Sequence, residues 1–431
     1  MAAHLNDSRV KELFEAAGRA FANGRASEAE GLLRQARNEA PGHPLVLNEV
    51  AAQMLAAGNA SGAHDLLQRA IAADPSHASI WLNLAAALRG LGRADDEMAA
   101  LKKALALEPR NIRARLQVAS LHEMKGEART AAAAYRMALQ LLPPGIEPPP
   151  AMRPVLEHAR ELVEANERAL EAFLESRLAA LRTRHADESL ARFDRCLATL
   201  LQKRRIYRQQ PTFMYYPNLP AIEFYERADF PWLDAIEAAT DDIRDEITSV
   251  LAEGQSVLQP YIRVPEGGAL DVWRELNNSR RWGVYYLWHE GVPIPEHQAR
   301  CPRTMAALEA WPRCEVPGCS PVAVFSILDP RTRIPPHTGV NNTRLIVHIP
   351  LIIPPGCGLR VGAEQREWHP GHALIFDDTI EHEAWNDSDV PRAVLILDAW
   401  NPFLTPAERE MVATATAAVG EYYGTRLYKD A

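Results

Sequence analysis

In the first third of the chain, apolar residues recur at the three- and four-residue spacing of amphipathic helices, and the breaks between them are regular. Glycines fall at Gly24, Gly58, Gly92 and Gly126, prolines at Pro41, Pro75, Pro109 and Pro143, and alanines at Ala36, Ala70, Ala104 and Ala138, every step being 34 residues. Three residue types in phase over four copies predict four helix–turn–helix units, near 10–43, 44–77, 78–111 and 112–145. In each unit the Gly ends a first helix, the Ala lets the second approach its neighbour, and the Pro stops that second helix. Leu47, Trp81, Leu84, Leu101 and Tyr135 take packing positions. Glu97 stands where Ala29, Ala63 and Ala131 provide a small residue, which predicts a looser helix contact in that unit.

The run from Pro143 to Pro150 breaks the periodicity and reads as a boundary. From Val155 to about Arg205 a helical pattern returns without the 34-residue punctuation (Leu156, Leu162, Leu170, Phe173, Leu178, Leu181). After Gln210 the texture becomes short β-branched and aromatic runs broken by Pro and Gly, with one helix from roughly Trp232 to Leu251. Strands are expected at Val322–Leu328, Thr343–Ile352, Gly358–Val361, Ala373–Phe376 and Arg392–Ala399. The expected fold is therefore multidomain α plus β: an α-solenoid over 1–145, a helical connector over 146–210, and a β-rich domain over 211–431.

Composition leaves this division intact. A chain of 431 residues exceeds what one core usually serves, and 47% hydrophobic with 24% charged residues is ordinary for globular proteins. The net charge of −9 repels phosphate backbones, and the one basic run, Lys203-Arg204-Arg205 with Arg208, reads as a solvated helix end, so no nucleic-acid partner is expected. Five cysteines, an odd and irregular set, imply a reducing compartment. Cys301, Cys314 and Cys319 with His297 match no closed zinc module. Met1 to Val10 has no apolar leader core and no apolar run reaches about 18 residues, so no membrane association and a cytoplasmic location are expected.

Candidate chemistry lies in two strings. One is Phe325-Ser326-Ile327-Leu328-Asp329-Pro330, followed by Pro336-His337-Thr338-Gly339-Val340-Asn341-Asn342-Thr343-Arg344-Leu345-Ile346-Val347-His348. The other is Ile375-Phe376-Asp377-Asp378-Thr379-Ile380-Glu381-His382-Glu383-Ala384-Trp385-Asn386, with Arg392 ten residues past His382. Two histidines far apart in sequence, each at the edge of a β run, are what a metal site in a jelly roll needs, with imidazoles converging from facing strands. Strand alternation puts Arg344, Ile346 and His348 on one face and Leu345, Val347 and Ile349 on the other. Position +2 from His337 is Gly339, where a non-haem iron triad would carry a carboxylate, so only two protein ligands are expected. Asp377 and Asp378 are candidates for a further ligand, but read in preference as turn residues or as acceptors supporting the imidazoles.

The 34-residue units resemble the tetratricopeptide-repeat (TPR) family, whose solenoids commonly hold peptides on a concave face; a spacer or assembly role is the other reading. The strings Pro-His-Thr-Gly-x-x-Asn and Phe-Asp-Asp-x-x-x-His-Glu-x-Trp resemble the aspartyl/asparaginyl β-hydroxylase family, from about Phe230 to Glu408. That resemblance implies a double-stranded β-helix of the jelly-roll or cupin-like kind, and a dioxygenase using Fe(II), the cosubstrate 2-oxoglutarate and O₂. It implies that His337 and His382 ligate iron, that Trp282, Ser326, His348 and Arg392 hold 2-oxoglutarate, and that Arg344 contacts substrate. Ile346 departs from members that carry a further cosubstrate arginine there. A guanidinium such as Arg392 suits a bidentate grip on a distal carboxylate. The activity so implied is β-carbon hydroxylation of Asp or Asn in a peptide or protein recruited by the repeats. The alternatives are hydroxylation of a free amino acid or acyl chain, and a non-catalytic scaffold.

Overall fold

The computed structural model describes residues 2–143, 145, 147–264, 267–268 and 271–424. It divides into two compact units, Met1–Ser189 and Leu190–Ala431. Pro144 and Ile146 of the expected boundary, and the last seven residues of the expected β-rich domain, lie outside the described residues.

The first unit is a run of paired helices: α1 (Ala2–Ala22), α2 (Ala26–Glu39), α3 (Pro44–Ala56), α4 (Ala60–Ala73), α5 (Ala78–Gly90), α6 (Ala94–Leu107), α7 (Ile112–Met124), α8 (Ala128–Leu139) and the long α9 (Arg153–Arg184). Gly24, Gly58, Gly92 and Gly126 all sit at positive φ, between 71° and 79°, in the turn inside each pair, where a side chain would strain the backbone. Ala36, Ala70, Ala104 and Ala138 are fully buried, as close helix approach requires. The looser contact expected at Glu97 is not what forms. Its carboxylate is buried and meets the Arg89 guanidinium at 2.6 Å, so the larger side chain is accommodated by pairing. The expected connector is shared out: α9 packs Leu156, Ala159 and Val163 against the α8 layer, whereas helix Ala191–Leu200 falls in the second unit.

The second unit carries β1 (Gln259–Pro260), β2 (Trp282–His289), β3 (Val292–Pro293), β4 (Ala323–Leu328), β5 (Thr332–His337), β6 (Arg344–Ile352), β7 (Cys357–Val361), β8 (Glu364–Arg366), β9 (Leu374–Phe376), β10 (His382–Asn386) and β11 (Arg392–Trp400). A larger sheet has the order β1-β2-β4-β11-β6-β9, with β3 beside β2, and a smaller one the order β5-β10-β7-β8; the pairings are antiparallel. The outer face of the larger sheet (Phe325, Leu345, Val347, Ile349, Leu395) packs on helices Leu233–Ala238, Thr240–Leu251 and Pro302–Ala307. Its inner face (Val284, Val324, Val394, Ile396) meets Ile334, Leu359 and Val361 of the smaller sheet. This is the expected jelly-roll type of double sheet.

Three strands that frame the site were not expected: β2, β5 and β10. The single helix expected over Trp232–Leu251 is two, broken at Ala239, where the Thr240 hydroxyl donates to the Glu237 carbonyl. A further helix, Pro406–Tyr423, opens with a reciprocal Thr405–Glu408 capping box, a start signal legible in the sequence. Among the described residues no helix is long and apolar enough to cross a membrane.

Candidate functional site

The site lies at one end of the space between the sheets. His337 ends β5, His382 begins β10, and the two are direct cross-strand partners, so the imidazoles converge from neighbouring strands of one sheet rather than from facing ones. Their ring centroids are 4.1 Å apart. Each Nδ1 donates to a backbone carbonyl two residues back, His337 to Pro335 (2.8 Å) and His382 to Ile380 (3.1 Å). Those bonds select the tautomer with a bare Nε2, which is the form that ligates a metal. Burial holds both rings neutral, depressing His337 below the usual imidazole range and His382 well below it, with His337 adding to the effect on His382.

Gly339 has a steric reason: a Cβ there would collide with the carboxylate of Asp378, and the Gly339 amide donates to the Asp378 carbonyl at 2.6 Å. The carboxylate from Asp378 thus takes the space into which a side chain at position 339 would grow. Burial, with Asp377 adding, pushes its pKa up to about 7. Asp377 is a turn residue, accepting from the Thr379 amide and hydroxyl and from Gln209. Among the described residues no group of three or more His, Cys, Asp or Glu is arranged to hold a metal, so the protein presents two imidazoles with one carboxylate alongside.

Across from the pair, β6 and β11 supply His348 and Arg392. The alternation expected on β6 is present: Leu345, Val347 and Ile349 enter the outer core, while Ile346 and His348 face inward. The Trp368 indole donates to His348 Nδ1 at 3.3 Å, leaving Nε2–H of the neutral ring as a donor. Burial first, then the nearby Arg392 charge, push the His348 pKa down to about 3. Arg392 is 1% exposed. Its Nη1 donates to the Ser326 carbonyl at 3.3 Å, and its guanidinium lies 4.9 Å from the centre of the Trp368 ring. Among the described residues its Nε has no hydrogen-bond partner and no carboxylate pairs with it. Burial lowers its pKa to about 10. The Trp282 indole donates to the Ser326 hydroxyl at 3.1 Å and stacks on Tyr261 at 4.1 Å. Trp273 meets His337 edge-on at 4.8 Å.

Arg344 sits at the other end of the inner face. Its Nη1 contacts Asp398 at 2.8 Å, and Asp398 Oδ2 also accepts from the Ser320 hydroxyl and the Val322 amide. Burial raises the Asp398 pKa while Arg344 opposes that rise. The structure thus brings His337, His382, His348, Trp282, Ser326 and Arg392 to one locus, and ties Arg344 to a carboxylate. Trp368, Tyr261, Trp273 and Asp398 were not anticipated; they lie outside the two strings, and only the fold brings them near. The cysteine and His297 set forms no metal cluster among the described residues: His297 donates to the Tyr286 carbonyl, and Cys301, Cys314 and Cys319 are buried thiols.

Residues 237–402 match the family model for aspartyl/asparaginyl beta-hydroxylase, and residues 54–96 a tetratricopeptide-repeat model. The ornithine lipid ester-linked acyl 2-hydroxylase of Rhizobium tropici is 35% identical over 195 residues, 44% of this chain and 65% of that protein. Human aspartyl/asparaginyl beta-hydroxylase is 36% identical over 169 residues, 39% of this chain and 21% of that protein. The chain therefore spans less than two thirds of the length of these relatives. A TPR protein of Thermus thermophilus, with 24% identity and a TM-score of 0.29, aligns with 41% of this chain and 97% of its own. Residues 237–402 are thus a domain of the aspartyl/asparaginyl β-hydroxylase family, carried in a chain that also contains tetratricopeptide repeats.

Proposed function

We propose that the chain is an Fe(II)- and 2-oxoglutarate-dependent dioxygenase that hydroxylates the β-carbon of an Asp or Asn residue in a polypeptide, with the repeats as the recruiting surface. The observation that carries this reading is Arg392. A guanidinium taken out of water with no counter-ion costs several kcal/mol, and in this position, with only the Ser326 carbonyl and the Trp368 ring beside it, it gains a counter-ion only when an anion enters. The distal carboxylate of 2-oxoglutarate is such an anion, and it suits a planar guanidinium. His348 Nε2–H and the Ser326 hydroxyl add donors along the same wall.

The two bare Nε2 atoms fit a divalent ion, and neutral imidazoles need lose no proton to bind it. Iron, with 2-oxoglutarate and O₂, supplies oxidising chemistry that turns C–H into C–OH as the cosubstrate becomes succinate and CO₂. What the chain itself does is hold His337 and His382 in one tautomer and keep Arg392 dry for a carboxylate. Trp282, Tyr261 and Trp273 exclude water beside His337. A non-catalytic scaffold has no use for an unpaired buried arginine. An acyl-chain substrate is the second reading, favoured by the similarity to the Rhizobium tropici enzyme.

The test is to incubate the purified chain with Fe(II) and 2-oxoglutarate and to measure succinate, then to examine added Asp- and Asn-containing peptides for a one-oxygen mass gain. Iron-dependent succinate is expected, and its absence sinks the dioxygenase reading. A shortened chain beginning at Leu190 should still form succinate but lose apparent affinity for a polypeptide, because the solenoid raises local substrate concentration. Unchanged kcat/KM in that chain would make the repeats a spacer.

A further inference from the structure

Strand alternation places Arg392, Val394, Ile396, Asp398 and Trp400 in line on the inner face of β11. Their partners on β6 put His348 beside Ile396, Ile346 beside Asp398 and Arg344 beside Trp400. Two strand residues advance about 6.7 Å, so Trp400 stands roughly 13 Å beyond the His348 level, at the end away from Arg392. A cleft of about 640 Å³ opens there, between helix Pro406–Tyr423 and the 313–317 segment, lined by Arg313, Glu315, Trp400, Arg409, Ala413 and Ala417 among others. The link to the inner face is Trp400 itself, which lines the cleft and pairs across the strands with Arg344.

The walls carry charges of both signs. Arg313 and Arg409 share the cleft with Glu315, Glu410 and Glu421, and none of the five is ion-paired among the described residues. The helix side is built of Ala413, Thr414, Ala417 and Ala418, small residues that let another backbone come close. An acyl chain laid here would desolvate five charges and return nothing to them. An extended peptide brings backbone donors and acceptors, side-chain charges, and an apolar surface for Trp400, and the volume is in the range of ligand sites.

We propose that this cleft holds the residues flanking the acceptor of an extended polypeptide substrate carrying charges of both signs, which makes the substrate a polypeptide rather than an acyl chain. The proposal rests on the dioxygenase reading above. The full chain, loaded with Fe(II) and 2-oxoglutarate, is given a peptide library with one fixed Asp or Asn between randomised positions and, separately, a dispersed ester-linked fatty acyl lipid. Hydroxylated peptides are expected, enriched in charged residues on one side of the acceptor. Ala417→Trp, which fills the cleft, should raise KM for those peptides about tenfold while peptide-free succinate formation stays within about twofold. Arg313→Glu, on the opposite wall, should shift the preferred flanking charge even if Ala417→Trp does not fold. Peptide hydroxylation unaffected by both variants overturns the proposal, and so does oxygen gain on the lipid alone, or succinate with no peptide product. Absence of iron-dependent succinate instead removes the dioxygenase reading beneath it.

Discussion

The two units treat a buried charge in opposite ways. In the solenoid Glu97 is 1% exposed and its carboxylate is answered by Arg89 from the partner helix. In the sheet unit Arg392 is equally buried and no carboxylate among the described residues answers it. Folding that ended at the chain's own stability would not leave the second arrangement standing, because an isolated internal charge is among the costliest features a protein can keep. The solenoid's buried charge is satisfied internally, whereas on the dioxygenase reading proposed here that of the sheet unit is answered by an anion it binds. Asp398, also fully buried, shows that the same unit can pair its charges, since it holds Arg344.

The largest effect should come from the two histidines proposed to hold iron. His337→Ala or His382→Ala is expected to remove succinate formation altogether while far-ultraviolet circular dichroism stays that of the parent, because strands β5 and β10 are held by their own ladder and by the core between the sheets; turnover near the parent level in either would remove the pair from the chemistry. The arginine contrast comes next and has opposite signs. Arg89→Met strands the Glu97 carboxylate and should cost about 1–3 kcal/mol, discounted because Arg89 is one-third exposed. Arg392→Met should instead stabilise the ligand-free chain by about 1 kcal/mol or more, while weakening 2-oxoglutarate binding roughly tenfold or beyond. Urea unfolding of both, with calorimetric titration of 2-oxoglutarate, decides it, and equal signs would dissolve the distinction drawn above.

His348 gives a pH signature. Its folded pKa of about 3 lies below the ordinary 6.5, so the unfolded chain binds that proton more readily, and its contribution to stability falls as pH drops below 6.5. From pH 6.5 to 5 the parent should lose about 2 kcal/mol relative to His348→Gln. Parallel stability curves for the two chains would show the ring is not held neutral. The smallest change is Gly339→Ala. Its methyl meets the Asp378 carboxylate, and a cost of about 1 kcal/mol is expected, together with weaker binding of Co(II) as a spectroscopic stand-in for iron. A variant with parental melting temperature and parental Co(II) spectrum would show that Asp378 moves aside freely.

Much of this molecule is written in local pattern. The solenoid follows from Gly, Ala and Pro at fixed intervals, since each repeat contacts chiefly its neighbours and three residue types suffice to set turn, approach and stop. Strand β6 and its two faces follow from alternation, and His337 and His382 stand out because each sits in a polar string at the edge of an apolar run. Local pattern also carries the Trp-Gly-Val-Tyr-Tyr-Leu-Trp run of β2 and the Thr405–Glu408 cap. The remainder belongs to the tertiary structure alone. That His337 and His382 are cross-strand neighbours, that Asp378 fills the space beside Gly339, that Trp368 sets the His348 tautomer and that Asp398 claims Arg344 all join residues from separate stretches of chain. The physical reason is that periodicity reports which face of an element is buried, whereas the partner of a buried polar group is chosen by strand order and register, which act across the whole sheet.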